Sequence, residues 1–345
     1  MRRTKYFLGV FLVSLALALL PGRAMAIQEY GDVNRSGGVN IDDVTRLIDD
    51  LLAGQTTILD DVNGDLEVNI VDVTVLIDYL LSRKWIFNLY YPPVPDSAMV
   101  VTVNGASFAM MPVKGGIYYP YQYGGGSPLG FYVTLSDFYL GMTEVTFELW
   151  EAVMGSRPVT SMTYKAKPNQ AIEFVSFRDC KAFIARLNEL TGMEFRLPTY
   201  DQWTYAALGG QWTHGYNYAG SDDIDEVAWY DGNRPDIFER YRQQWSWASY
   251  SMPVGMKKPN ELGIYDMSGN VFEMIEWSEI GDGENYVELD PESTRNIWRL
   301  GGNVIEDVSY CIIHCPSTTN WLLNQDDIRK ANGLRLCLQA SSLNR

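Results

Sequence analysis

The chain has 345 residues, enough for two compact domains plus processed or linking segments. Its 46% hydrophobic and 13% aromatic content can fill an ordinary core, which excludes a disordered or collagen-like chain. Lys+Arg 27 against Asp+Glu 43 gives a formal charge of −16, the wrong sign for holding nucleic acid or anionic lipid by counterion release. Cations are the better small partners.

A basic head, Met1 to Lys5, is followed by the apolar run Phe7 to Leu20, too short to cross a bilayer comfortably, and then by Ala24-Met25-Ala26. This pattern predicts an export signal over residues 1–26. Its removal leaves a secreted, periplasmic or cell-surface-associated chain with no further membrane span. Of the four cysteines, Cys180, Cys311, Cys315 and Cys337, any pair is open to oxidation in such a compartment. The two histidines, His214 and His314, are too few for a His-rich catalytic metal centre.

Residues 27–85 contain an internal repeat. Gly31 to Asp43, followed by the apolar positions Val44, Leu47, Ile48, Leu51 and Leu52, recurs twenty-nine residues on as Asp61 to Asp72, followed by Val73, Leu76, Ile77, Leu80 and Leu81. A hard divalent cation takes oxygens from loop positions 1, 3, 5, 7 (backbone), 9 and 12. The first loop offers Asp32, Asn34, Ser36, the Gly38 carbonyl, Asn40 and Asp43; the second offers Asp61, Asn63, Asp65, the Glu67 carbonyl, Asn69 and Asp72. The apolar positions follow helical spacing, so each loop should lead into a helix, and the two stripes should bury against each other. Twelve acids against four bases in this segment make its folding dependent on bound Ca²⁺.

This repeat resembles the dockerin module, which implies two Ca²⁺ ions and a cohesin-like protein domain as partner. Leu66 stands in place of the turn glycine of the second loop, and Ile41-Asp42 and Ile70-Val71 replace the Ser-Thr pairs that contact cohesin in many dockerins.

Residues 86–98, with three prolines, form a predicted linker. Beyond it, Val101-Thr102-Val103, the turn Asn104-Gly105 and Phe108 to Val113 predict a hairpin. Helices are predicted over Val145 to Met154 and, after the N-cap Ser176, over Phe177 to Thr191, ending at Gly192. Short strands and Gly-rich loops make this region α+β. In Asp266-Met267-Ser268-Gly269-Asn270-Val271-Phe272-Glu273, two carboxylates lie seven residues apart across a Gly turn. They could enclose a hard cation or hydrogen-bond the turn backbone, and the spacing allows both.

Thr143-Glu144-Val145-Thr146, Val175-Ser176-Phe177, Arg196-Leu197-Pro198-Thr199, Gly263 to Glu273, Arg299-Leu300-Gly301-Gly302-Asn303 and Asn332-Gly333-Leu334-Arg335 follow one another in this order. Together they resemble the sulfatase-modifying-factor family, whose type member is the formylglycine-generating enzyme. The resemblance implies an irregular C-type-lectin-like domain over 99–340, preceded here by the small all-α module. It also implies a structural Ca²⁺ site at Asp266, the backbone of Met267 and Gly269, and Glu273.

The family enzyme oxidises a sulfatase cysteine to formylglycine with Cu(I) and O₂, gripping copper between two thiolates. By the resemblance, the first thiolate position falls on Glu306 and the second on Cys311. Soft Cu(I) needs soft sulfur, and a carboxylate does not supply it. Cu(I) is therefore not expected. The reading is a catalytically silent binding or adaptor protein, with a formylglycine-generating oxidase as the alternative. Its recognition surface for a glycan or protein is expected along Val304, Glu306, Tyr310, His314 and Trp321. A Cys180–Cys337 bridge is implied only by analogy with some relatives.

Overall fold

The computed structural model describes residues 31–34, 36, 38–56, 60–62, 68–82, 91–119, 132–158, 166–234, 251–276, 298–313 and 331–344. The export signal and residues 83–90 lie outside them.

Two helices, α1 (Ile41–Ala53) and α2 (Ile70–Ser82), are the regular elements of the amino-terminal segment among the described residues. Asn40 caps α1 by accepting from the Asp42 amide, and Asp43 closes a capping box back onto Asn40. Gly54, at φ 63°, ends the helix in the left-handed conformation. Val44, Leu47, Val73 and Leu76 bury with Val33, Val39 and Val62 from the loops. The buried stripe is narrower than expected, because Ile48, Leu52, Ile77 and Leu81 are exposed, Leu52 at 83% and Leu81 at 81%. Two short helices cover only the inner edge of each other's apolar face.

The larger part is mixed α+β. Its main sheet is antiparallel in the order β1-β2-β5-β10-β6, from β1 (Met99–Val103), β2 (Ala106–Val113), β5 (Phe138–Gly141), β6 (Phe195–Arg196) and β10 (Cys337–Gln339). The predicted hairpin is β1–β2, turned by Asn104 at φ 47° and Gly105 at φ 91°. The short strands β3 (Ile117–Tyr118) and β4 (Val133–Thr134) pair with each other. A second sheet, β8-β7-β9, places β7 (Phe272–Ile275) between antiparallel β8 (Trp298–Leu300) and parallel β9 (Asn332–Leu334).

Helix α3 runs Phe147–Met154, two residues shorter at its start than predicted. Thr146 is its cap, and Val145 pairs instead with Leu334 and Ile172 of the surrounding chain. Helix α4 covers Phe177–Thr191 as expected, capped by Ser176 and Asp179. Trp150 of α3 stacks on Phe183 of α4 at 4.9 Å. One core joins these helices to β1 and β2; a second gathers around Trp203 of α5 (Tyr200–Ala207) on the other side of the sheet.

Candidate functional site

In the first loop all six expected ligand positions are joined by hydrogen bonds. Asp32 and Asn34 both accept from the Ser36 amide at 2.9 Å, and Asp43 accepts from the Asn34 and Asn40 amides at 3.0 and 2.9 Å. Ser36 Oγ and Asn40 Nδ2 donate to the Gly38 carbonyl. Asn69 and Asp72 repeat the Asn40–Asp43 arrangement, with Asp72 accepting from the Asn69 amide at 2.8 Å. Asn63, Asp65 and Glu67 lie outside the described residues. Among the described residues no three His, Cys, Asp or Glu side chains converge as a metal cage. The first loop instead offers two carboxylates with amide, hydroxyl and carbonyl oxygens, a hard donor set that suits Ca²⁺. In the second, buried Asp61 receives Lys167 Nζ of the larger part at 2.5 Å.

A buried charged centre ties the larger part together. Arg335 grips Glu273 through Nε at 3.0 and 2.9 Å and through Nη2 at 2.6 Å, and donates to the Gly141 and Tyr265 carbonyls. Trp203 Nε1 donates to Glu273 Oε2 at 2.7 Å, the oxygen that also accepts from Arg335 Nε. Nearby, Glu144 accepts from Asn270 Nδ2 at 2.6 Å and from the Val271 amide at 3.1 Å. Asp266 accepts from the Gly255 amide at 2.6 Å. Burial, reinforced by the Asp266 and Glu273 charges, holds the Glu144 carboxyl well above the usual carboxylate range. Burial also lifts Asp266 to about 6, against the Gly255 amide and Arg335.

Within the Asp266-to-Glu273 segment both carboxylates are hydrogen-bonded, Asp266 by the Gly255 amide and Glu273 by Arg335 and Trp203. The closing Gly-Leu-Arg segment brings the guanidinium onto Glu273. Asp266 and Asn270 adopt left-handed φ of 58° and 56°. Gly269 is required between them: a Cβ there would meet the Trp229 carbonyl oxygen at 2.2 Å. Sequence reasoning did not assign Glu144 or Arg335 to a site. Apolar residues stand close on either side of each, Met142 and Val145 around Glu144 and Leu334 and Leu336 around Arg335, and a charge buried there needs a partner.

The Gly301-Gly302 segment leaves β8 at φ 95° and 76° and faces Cys311, which ends a 3₁₀ turn, Val308–Cys311, capped by Asp307. A Cβ on Gly302 would lie 2.8 Å from Cys311 Sγ. Burial pushes the Cys311 thiol up to about 12, and the Asp307 and Glu306 carboxylates push the same way. Glu306 is half-buried and itself raised by burial, with Arg299 opposing. Val304, expected on a recognition surface, is instead 1% exposed and packs on Met252 under Trp229 and Ile305. Tyr310 is half-buried, edge-on to Phe272 at 6.5 Å. His314, Cys315 and Trp321 lie outside the described residues. Cys180 and Cys337 are free thiols in separate cores, so the bridge between them is not formed. Among the described residues no helix is long and apolar enough to cross a membrane.

Residues 93–339 match the family described as the sulfatase-modifying factor enzyme 1-like domain. The chaperone protein LppX of Paenibacillus barcinonensis is 34% identical over 226 residues, covering 53% of this chain and 75% of that protein. Among solved structures, Treponema denticola variable protein 1 is similar in fold at a TM-score of 0.55 and 23% identity, covering 72% of this chain and all of the other. PvdO of Pseudomonas aeruginosa aligns over 72% of this chain and all of its own at a TM-score of 0.49 and 17% identity.

Proposed function

Because the chain belongs to the sulfatase-modifying factor enzyme 1-like family, we propose that it is an exported binding or adaptor protein without the family's oxidase chemistry. The observation that carries this reading is the state of Cys311. Cys311 is 1% exposed, burial pushes its thiol up to about 12, and among the described residues the charges that bear on it are the Asp307 and Glu306 carboxylates, with no second thiolate beside them. Cu(I) needs thiolates, and this donor set does not fit it. The name chaperone on the Paenibacillus relative agrees with a binding role.

The amino-terminal repeat serves as a calcium-dependent tether. Its loops would hold Ca²⁺ through Asp32, Asn34, Ser36, Gly38, Asn40 and Asp43 and through their counterparts from Asp61 to Asp72, neutralising an otherwise self-repelling segment. Ile41, Ile48 and Leu52 on α1 and Ile70, Ile77 and Leu81 on α2 are exposed at positions related by the repeat. Such a doubled apolar face supports docking to a cohesin-like domain. The larger domain then presents a glycan or protein ligand-binding surface.

The test is product formation on a peptide carrying the sulfatase cysteine motif, with reduced protein, copper and O₂ supplied. The reading expects no mass change to the aldehyde. Repeated turnover to formylglycine would overturn it.

A further inference from the structure

Trp212 is 67% exposed, the only tryptophan so placed among the described residues. It stands on a loop that hydrogen bonds tie to the rest of the domain at both ends. Beyond α5, Gly209 and Gly210 turn the chain at φ 89° and 58°, and the Trp212 amide donates to the Gly209 carbonyl at 3.0 Å. Gln211 Nε2 donates to the Gly115 carbonyl at 2.8 Å, and the Asn217 amide donates to Asp222 Oδ1 at 2.9 Å. Between these ties, Glu261 Oε1 accepts from the His214 amide at 3.3 Å and lies 2.9 Å from His214 Nδ1. The Glu261 side chain is 11% exposed and the His214 side chain 61%, so a largely buried carboxylate orients an imidazole that faces solvent. Gly209 makes room for that carboxylate: a Cβ there would meet Glu261 Oε2 at 2.6 Å. The Tyr216 ring lies 5.4 Å from that of His214.

We propose that this loop is a glycan-binding site for a neutral polysaccharide, with Trp212 stacking on the C–H face of a sugar ring and His214 Nε2 hydrogen-bonding a sugar hydroxyl. This deepens the reading of the larger domain as a ligand-binding unit and rests on it. A sugar ring is apolar on its C–H face and rimmed with hydroxyls, so it is matched by a flat aromatic surface beside a hydrogen-bonding side chain. The π face of an indole is negative and attracts the polarised C–H bonds of the ring. Trp212 and His214 are two residues apart, so their Cα atoms lie within about 7 Å, close enough for one ligand to meet both. Charge selects the same class. Residues 209–217 contain no Asp, Glu, Lys or Arg in a chain of formal charge −16, so the loop itself offers a charged ligand no carboxylate, ammonium or guanidinium. Size argues against a protein partner, since one indole buries about 150–250 Å² and a stable protein interface needs about 800 Å² from each side. Because hydrogen bonds hold the loop and the imidazole before a ligand arrives, little ordering entropy is lost on binding.

The experiment is affinity electrophoresis of the full chain in native gels containing xylan, galactomannan or mixed-linkage β-glucan, with polygalacturonate as the charged probe. At least one neutral probe should retard the parent chain, and more strongly than polygalacturonate does. In that gel Trp212→Ala should weaken binding about 30-fold, the usual loss on truncating an aromatic hot spot. His214→Ala should weaken it about 3- to 10-fold, as expected for one hydrogen bond, and Trp212→Phe should keep most of the binding. Trp212→Ala removes an exposed side chain and should leave the thermal melt unchanged, so its loss of binding reports the contact itself. Retardation that survives Trp212→Ala, retardation that is strongest with polygalacturonate, or none in any neutral gel overturns the glycan site. Aldehyde formation in the sulfatase-peptide assay overturns the binding reading beneath it; no aldehyde together with no retardation removes the glycan site alone.

Discussion

Replacing Arg335 by methionine keeps most of the side-chain volume and removes the single guanidinium at the buried charged centre. Glu273, wholly buried like its partner, would keep Trp203 Nε1 and lose three hydrogen bonds to Arg335. The Gly141 and Tyr265 carbonyls would lose their donors as well. Stranding one member of a buried ion pair costs about 3–5 kcal/mol, and each carbonyl left unfilled adds about 1 kcal/mol. The sum is a large part of the 5–15 kcal/mol that ordinarily separates folded from unfolded. For a domain of this size it lowers Tm by about 10–20 °C. The assay is urea denaturation followed by Trp fluorescence, beside Glu273→Gln/Arg335→Met, in which the stranded charge is gone. The double variant should recover part of the loss. An R335M protein within about 1 kcal/mol of the parent, or a double variant no better than the single, would refute the assignment of this centre as the domain's electrostatic keystone.

The buried thiols give a pH prediction. Cys311 and Cys337 are pushed up to about 12 by burial, and Cys180 is raised by the same cause. The folded chain therefore keeps protons that the unfolded chain releases above pH ~8.5. Stability, measured in reductant, should fall as pH rises from there towards 12, by about 1.4 kcal/mol per pH unit for each thiol; a flat profile contradicts the burial. In the amino-terminal module, Leu47→Ala should cost about 2–5 kcal/mol, while Leu52→Asp should change stability by no more than about 0.5 kcal/mol. Equal effects in thermal melts would mean that the helix faces are assigned wrongly. Gly302→Ala should destabilise by about 1–3 kcal/mol, since it combines a left-handed φ with a methyl against Cys311 Sγ; a neutral result removes that contact.

Local patterns were legible where local chemistry decides the outcome. Asn104-Gly105 set the hairpin, Ser176 with Asp179 set the start of α4, and the acid spacing of the first loop became the hydrogen-bonded ring around Asp43. Order and identity of several motifs carried the family, which no single motif would have done. What escaped was decided by distant partners. Helical spacing marks Ile48 and Leu52 as apolar, and only the placement of α2 shows that they lie outside the buried seam. Val304 reads as a surface hydrophobe until Met252 closes over it. The Asp266-to-Glu273 spacing gives no sign of the Arg335 guanidinium that pairs with Glu273 from 62 residues away. Lys167 lies in an unremarked stretch of sequence, and its pairing with Asp61 joins segments 106 residues apart.

On the proposed function, Glu306 and Cys311 form no copper grip. A competition titration of reduced protein against a chromophoric Cu(I) chelator, with Glu306→Cys alongside, reads that grip itself. The parent chain is expected to withdraw no Cu(I) from the chelator; stoichiometric withdrawal by the parent chain, matching the Glu306→Cys variant, would overturn the silent-binder proposal.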